Sequence, residues 1–231
     1  MTSTPFPVEI ALGSGVVLRG LEYAQDGPPV VLVHDVGDDA DSWGRVPAEL
    51  AAKGFRAVSI ELRGHGLSDG EVDLDKTLPD LEEALGIIEK SFGPVGLVAY
   101  GSVATVCLGL GPDHVAPVQV LVSPLAPASS GLPAPVPAMR AIFAATGDHE
   151  ADTFVRSSYQ RLPGQNMWFS TGGAERGVDL LTSGPHMVEQ LTMFLRRYLI
   201  GHHLAWIGKQ DPAGEVVEDE RTEEQQRTAG K

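Results

Sequence analysis

The hydrophobic positions fall into short apolar runs separated by segments of helical spacing. Val8–Val17 and Val17–Ala24 read as two strands of an opening hairpin, with Gly13 and Gly15 supplying the turn. Pro29–His34, PVVLVH, is a continuous apolar run of the kind found in a parallel strand buried on both faces. Asp41–Lys53 has helical spacing, with Trp43, Val46, Leu50 and Ala51 on one side and Gly54 ending it. Arg56–Leu62 gives a second buried strand. Leu78–Ser91 gives a helix that aligns Leu81, Ala84, Leu85 and Ile88. The pattern continues with a strand at Val95–Tyr100, an apolar helix from Ser102 to about Leu110 and a strand at Val118–Ser123. A Pro/Ala/Ser-rich loop, Pro124–Pro137, precedes a strand at Arg140–Thr146. Helix Asp152–Leu162, strand Asn166–Ser170 and a long amphipathic helix Pro185–Leu199 complete it. Strand and helix alternate throughout, which predicts right-handed crossovers and a mostly parallel sheet.

The 231 residues are enough to bury a full core, and a hydrophobic share of 42% fits a globular domain. Residues 1–210 are expected to form that domain. From Asp211 to Lys231 there is no aromatic residue, and seven acidic residues stand against three basic ones, so a disordered acidic tail is expected. No apolar run approaches the ~18–20 residues needed to span a membrane. Met1–Pro7 has neither a basic start nor a hydrophobic stretch, so no secretion signal is expected. The single cysteine, Cys107, excludes an internal disulfide and a multi-thiolate metal site, and the expected location is the cytoplasm. A net charge of −14 argues against nucleic acid or an anionic membrane as partner. Nothing in the sequence calls for a cofactor.

Three local patterns carry chemistry. After PVVLVH come His34-Asp35-Val36-Gly37. After the next strand come Leu62-Arg63-Gly64-His65-Gly66-Leu67-Ser68-Asp69-Gly70. At a strand-to-helix junction stand Val98-Ala99-Tyr100-Gly101-Ser102-Val103-Ala104. In this order, over roughly residues 8–200, they resemble the α/β-hydrolase superfamily, and the second is the most specific match. The spacing is most similar to small, lidless members related to dienelactone hydrolases, since only about fourteen residues, Pro124–Pro137, lie where larger relatives insert a cap. The resemblance implies an α/β-hydrolase fold: a mostly parallel eight-stranded sheet with helices on both faces and no cap domain.

It also implies where a catalytic triad would stand, and there the sequence departs. The family elbow places a serine on a strained turn between small residues. Written over this chain, Gly-x-Ser-x-Gly becomes Ala99-Tyr100-Gly101-Ser102-Val103, and the serine position is Gly101. A one-residue shift promotes Ser102 but sets bulky Tyr100 where a small residue belongs, so Ser102 reads better as a helix-start residue. The acid falls at Asp148 or, with a different turn length, Glu150. The histidine position, ahead of Gly177 and the Leu180-Leu181 lead-in, is Arg176, which stays protonated and cannot serve as a general base. His186, ten residues on, is the fallback base. An ion pair of Arg176 with Asp148 or Glu150 is expected in place of the acid–histidine pair. The backbone N–H groups of Val36 and Ser102 are expected to keep an oxyanion pocket, bounded by His34, Asp35, Val36, Gly101, Ser102 and Arg176.

The other candidates have structural explanations. His34 and His65 sit in motif loops and suit hydrogen bonding between loops. His202 and His203 are adjacent, a poor chelating spacing, and are expected at the surface. Cys107 belongs in the core. Gly64, Gly66 and Gly70 form no phosphate loop, since no Lys-Ser/Thr follows, and Asp38, Asp39 and Asp41 suit an exposed helix start. Loss of nucleophile and base together favours a non-catalytic protein that binds a small molecule or a protein partner, with Arg176 favouring an anionic or carbonyl-containing ligand if Asp148 does not neutralise it. The alternatives are an esterase using Ser102, a lyase-type activity in the same pocket, and a purely structural subunit.

Overall fold

A computed structural model describes residues 4–110, 116–126, 134–183 and 186–210. The expected acidic tail, 211–231, lies outside them. Eight strands form one sheet: β1 (Phe6–Ala11), β2 (Val17–Tyr23), β3 (Pro29–Val33), β4 (Arg56–Ile60), β5 (Gly96–Tyr100), β6 (Val118–Val122), β7 (Ala138–Ala145) and β8 (Gly164–Thr171). Their spatial order is β1-β2-β4-β3-β5-β6-β7-β8. β2 runs antiparallel to both β1 and β4, and every other pair is parallel.

Strands β3, β5 and β6 are buried along their whole length, as the apolar runs of β3 and β5 require, and β6 buries Gln119 among its apolar residues. Helices α2 (Thr77–Phe92), α3 (Gly101–Val106) and α4 (His149–Ser158) cover one face, with Leu81, Leu85, Val103 and Val155 in its core. Helices α1 (Val46–Ala52), α5 (Val178–Thr182) and α6 (Met187–Gln210) cover the other, with Leu50, Leu181, Leu191 and Leu195. The chain leaves β3 toward one side and later sets β5 on the other. The loops after β3 and β5 therefore diverge and leave a crevice at the strands' C-terminal ends, where ligands bind in open α/β sheets. Between β6 and β7 the described residues contain no cap domain.

Several boundaries differ from expectation. The predicted helix Asp41–Lys53 is split into a 3₁₀ turn, Ala40–Trp43, and α1, because Gly44 adopts φ +52° between them and Pro47 starts the second piece. The helix predicted to reach Leu110 is α-helical only to Val106, then tightens into a 3₁₀ turn at Cys107–Gly109. Helix α4 begins at His149, three residues early, because the Asp148 side chain accepts from the Ala151 N–H and caps it. Helix α6 continues to Gln210, well beyond Leu199, so the two adjacent histidines lie on different faces. His202 is exposed, but His203 is buried against Trp206, contrary to the expectation that both are at the surface. The short helix α5 was not visible in the sequence pattern. No helix among the described residues is long and apolar enough to cross a membrane.

Candidate functional site

Four strand ends converge on the crevice. Asp35 follows β3, Gly101 follows β5, Asp148 follows β7 and Arg176 follows β8. Gly101 has φ +67°, a conformation costly for residues with a Cβ. The sharp strand-to-helix turn therefore centres on residue 101, and Ser102 is already in the first turn of α3. Of the two registers open in the sequence, the backbone takes the one that sets glycine at the elbow.

The Asp35 carboxylate fills the space above that glycine. Its Oδ1 accepts from the backbone N–H groups of Val36 (2.9 Å), Ser102 (3.0 Å) and Val103 (3.2 Å), and from the Ser102 hydroxyl (2.5 Å). These are the donors expected to line an open oxyanion pocket, with the Val103 N–H added. The pocket is not open, because a side-chain carboxylate of the chain itself sits in it. An ideal Cβ on Gly101 would lie 1.8 Å from Asp35 Oδ2, so a side chain at 101 and this carboxylate exclude each other. The signal was present in the sequence: aspartate stands where the family's His-Gly-x-Gly has its first glycine.

Asp148 and Arg176 form a two-pronged ion pair. Arg176 Nε donates to Asp148 Oδ2 at 2.7 Å, its Nη2 donates to Asp148 Oδ1, and its Nη1 lies 3.1 Å from Glu150 Oε2. Asp148 is buried and Glu150 is on the rim, so the two acid candidates share the guanidinium unequally. Burial pushes the Asp148 carboxyl up, but the Arg176 hydrogen bonds and the Ala151 N–H outweigh it and hold it below the ordinary carboxylate value. The same pairing raises Arg176. The loop that carries Arg176 is fixed by its neighbour: the Gly177 N–H donates to buried Ser123 Oγ at 3.0 Å. Gly177, at φ +57°, passes over the Tyr100 ring, where a Cβ would lie 3.2 Å from Cδ2.

A cavity of about 330 Å³ opens beside this pair, lined by Asp35, Asp38, Tyr100, Gly101, Arg176 and Asp179 among others. The Tyr100 hydroxyl donates to Asp38 Oδ2 at 2.6 Å, and burial together with that carboxylate raises the phenol above its ordinary value. Of the residues expected around the pocket, Asp35, Gly101 and Arg176 line it, while His34, Val36 and Ser102 do not. Asp38, Tyr100 and Asp179 were not anticipated.

His34 is fully buried and links loops. Its Nε2 accepts from the Leu62 N–H at 3.0 Å, and its Nδ1 is 2.7 Å from the Asp35 carbonyl oxygen. His65 does the same with the Gly37 N–H at 3.1 Å and the Arg63 carbonyl at 2.9 Å. The fallback base His186 does not reach the crevice. Its side chain is 78% exposed and its nearest acid is Glu189 at 3.8 Å, one helical turn on. Among the described residues no group of three or more His, Cys, Asp or Glu side chains could hold a metal ion.

Comparisons with known proteins agree with this architecture. An esterase of Pyrococcus furiosus superposes with a TM-score of 0.69 at 14% identity, over 86% of this chain and 92% of that one. An esterase of Exiguobacterium antarcticum superposes with a TM-score of 0.65 at 13% identity, over 82% of this chain and 99% of that one. In sequence, an uncharacterized protein of Mycobacterium tuberculosis is 39% identical over 51 residues, 22% of this chain and 15% of its own length. The dihydrolipoyllysine-residue acetyltransferase component of an acetoin cleaving system of Pseudomonas putida is 32% identical over 126 residues, 52% of this chain and 33% of its own. The chain thus spans a third or less of the length of these two relatives. The model of the alpha/beta hydrolase family matches residues 30–228, most of the sequence and every strand from β4 to β8, and the chain belongs to that family.

Proposed function

We propose that this chain is a non-hydrolytic member of its family, a binding protein whose former reaction centre is closed by its own Asp35. The observation that carries this is the Asp35 carboxylate seated on three backbone N–H groups directly over Gly101. Acyl transfer needs a nucleophile, a base and donors for the developing oxyanion, acting as a unit. Here glycine stands at the elbow, an arginine committed to Asp148 stands in the base's place, and a resident anion holds the donors. The remaining cavity receives a small ligand. Three carboxylates, Asp35, Asp38 and Asp179, face it, against one guanidinium already engaged by Asp148 and Glu150. That balance departs from the anionic ligand expected from Arg176 alone and suits a neutral or cationic molecule rich in hydrogen-bond donors.

Esterase activity through Ser102 is the alternative. It is favoured by the 2.5 Å bond from Ser102 Oγ to Asp35, which couples a hydroxyl to a carboxylate, and by the esterases among the structural neighbours. Against it, the oxygen that would take the proton already accepts three N–H bonds, and those are the N–H groups that would otherwise receive the acyl oxygen. The two separate on one experiment. Purified protein is incubated with a serine-directed fluorophosphonate and, in parallel, with short p-nitrophenyl esters. We expect no label and no hydrolysis above a heat-denatured control. Labelling at Ser102, or turnover abolished by Ser102→Ala, would overturn the non-hydrolytic reading.

A further inference from the structure

On its exposed side, α6 carries a row of three residues in line. Glu189, Met193 and Arg197 follow one another at intervals of four and so lie along one side of the helix. Met193 is 58% exposed, one of three large apolar residues that α6 leaves exposed, with Leu204 at 61% and Ile207 at 44% farther along the helix. It borders a shallow cavity of about 340 Å³ on the flank of edge strand β8, with Met167, Phe169, Phe194 and Arg197 in its walls. The two charges beside it lack close partners of opposite sign. Glu189 has only His186 at 3.8 Å, and Arg197 has no carboxylate partner among the described residues, its Nε resting 3.2 Å from the Tyr198 hydroxyl.

The order acid, methionine, base is self-complementary. When two copies of α6 are set antiparallel about a two-fold axis through Met193, residue 193 meets its own copy. Positions equally far before and after it exchange, so Glu189 of each chain meets Arg197 of the other. At a rise of about 1.5 Å per residue the ion pairs fall about 6 Å to either side of the axis. An isologous contact requires this relation, in which residue i meets j and j meets i. The helix is also a local exception to the acidity of the chain. Against a net charge of −14, α6 carries one acid, Glu189, and three bases, Arg196, Arg197 and Lys209. Two copies of this face meet without the repulsion that the rest of the surface would impose.

We propose that the chain forms a homodimer through α6, with Met193 on the two-fold axis, reciprocal Glu189–Arg197 pairs flanking it, and the Met167–Phe169 wall of β8 closing over the partner's methionine. Burial of paired methionines supplies adaptable apolar contact, and the ion pairs fix direction and register.

Sedimentation velocity over a wide concentration series, on the full chain, tests this. The wild type is expected to run as a dimer that dissociates on dilution. Met193→Glu is expected to weaken dimerisation by about tenfold or more, as for a central interface residue. Glu189→Arg and Arg197→Glu each set like charges opposite one another and weaken it, while the double variant E189R/R197E exchanges the signs and restores it. All three side chains changed lie at the surface, and an unchanged melting temperature of the diluted monomer confirms that each variant folds. A wild type monomeric at every concentration overturns the proposal and leaves the patch to a different partner. A dimer indifferent to these changes, or a double variant no better than the singles, overturns it equally.

Discussion

Asp35 and Gly101 share the volume of one side chain: the carboxylate of the first occupies the place where a Cβ on the second would lie, 1.8 Å from Oδ2. Neither residue alone explains the site. Glycine at 101 leaves room for the carboxylate, and the carboxylate supplies an acceptor for donors that a reacting carbonyl would otherwise use. The two substitutions are therefore coupled. Gly101→Ser by itself forces Asp35 off its donors and places a Cβ at φ +67°, and is expected to cost about 1–3 kcal/mol. In an Asp35→Gly background the same change is expected to cost less, with a coupling of about 1 kcal/mol or more in a double-mutant cycle by urea unfolding. Additive effects would show that the two positions do not compete for space.

Buried His34 makes stability depend on pH in the mildly acidic range. Burial lowers its pKa from the ordinary ~6.5, so the folded state holds it neutral, with Nε2 free to accept from Leu62. A group depressed in the fold contributes stability that is complete above its unfolded pKa and lost as pH falls through the folded one. The unfolding free energy is thus expected to be level above about pH 7 and to decline below it. His34→Gln should flatten that part of the profile. A wild-type profile with no decline between neutral and mildly acidic pH would contradict this.

Cys107 is wholly enclosed beneath the elbow, and burial pushes its thiol up to about 12. It is expected to resist Ellman's reagent in the native protein and to react fully in denaturant. Fast native-state labelling would mean that the core around α3 opens far more readily than its packing implies.

Much of the architecture was legible in the sequence because buried parallel strands and amphipathic helices leave strong periodic signals. β3 and α2 came out within about two residues of their predicted bounds. The misplaced ends have local causes: Gly44 splits a helix, and Asp148 caps α4 earlier than the apolar spacing suggested. For the candidate site, the placement of its residues was legible. The residues at 101, 148 and 176 do meet at the strand ends, because fold topology fixes which loops converge. What the pattern could not give was occupancy. Whether Asp35 turns inward onto the donors or outward to solvent depends on the space that Gly101 leaves, a relation between loops 66 residues apart in number (101 − 35). The other carboxylates around the cavity were not legible for a similar reason. Arg176 was visible, but the carboxylates of Asp38 and Asp179 reach the same space from loops whose spacing carries no such signal.

The Arg176–Asp148 pair yields the sharpest test of how this centre is now held. Asp148 is nearly enclosed, with 2% of its side chain exposed, whereas 44% of the Arg176 side chain remains accessible, so solvent screens the pair from one side. Arg176→Ala is therefore expected to cost about 1–2 kcal/mol at neutral pH, below the value for a fully buried pair. The pH dependence separates a lost ion pair from generic damage. In the wild type the Asp148 pKa is depressed, so its contribution is complete above the ordinary ~3.9 and is lost as pH falls through the folded value. In the variant, burial acts without the guanidinium, and the Asp148 pKa should rise above the ordinary value. The protonated form then suits the fold, and the variant's deficit should shrink as pH falls toward 4. Arg176→Lys, with a point charge in place of a planar fork, should recover only part of the loss. Urea unfolding of the three proteins at several pH values between 4 and 8, with Asp148 followed by carbon NMR, reads both quantities. A deficit constant with pH would assign the loss to packing. An unchanged midpoint would instead release Arg176 to act on a ligand in the cavity.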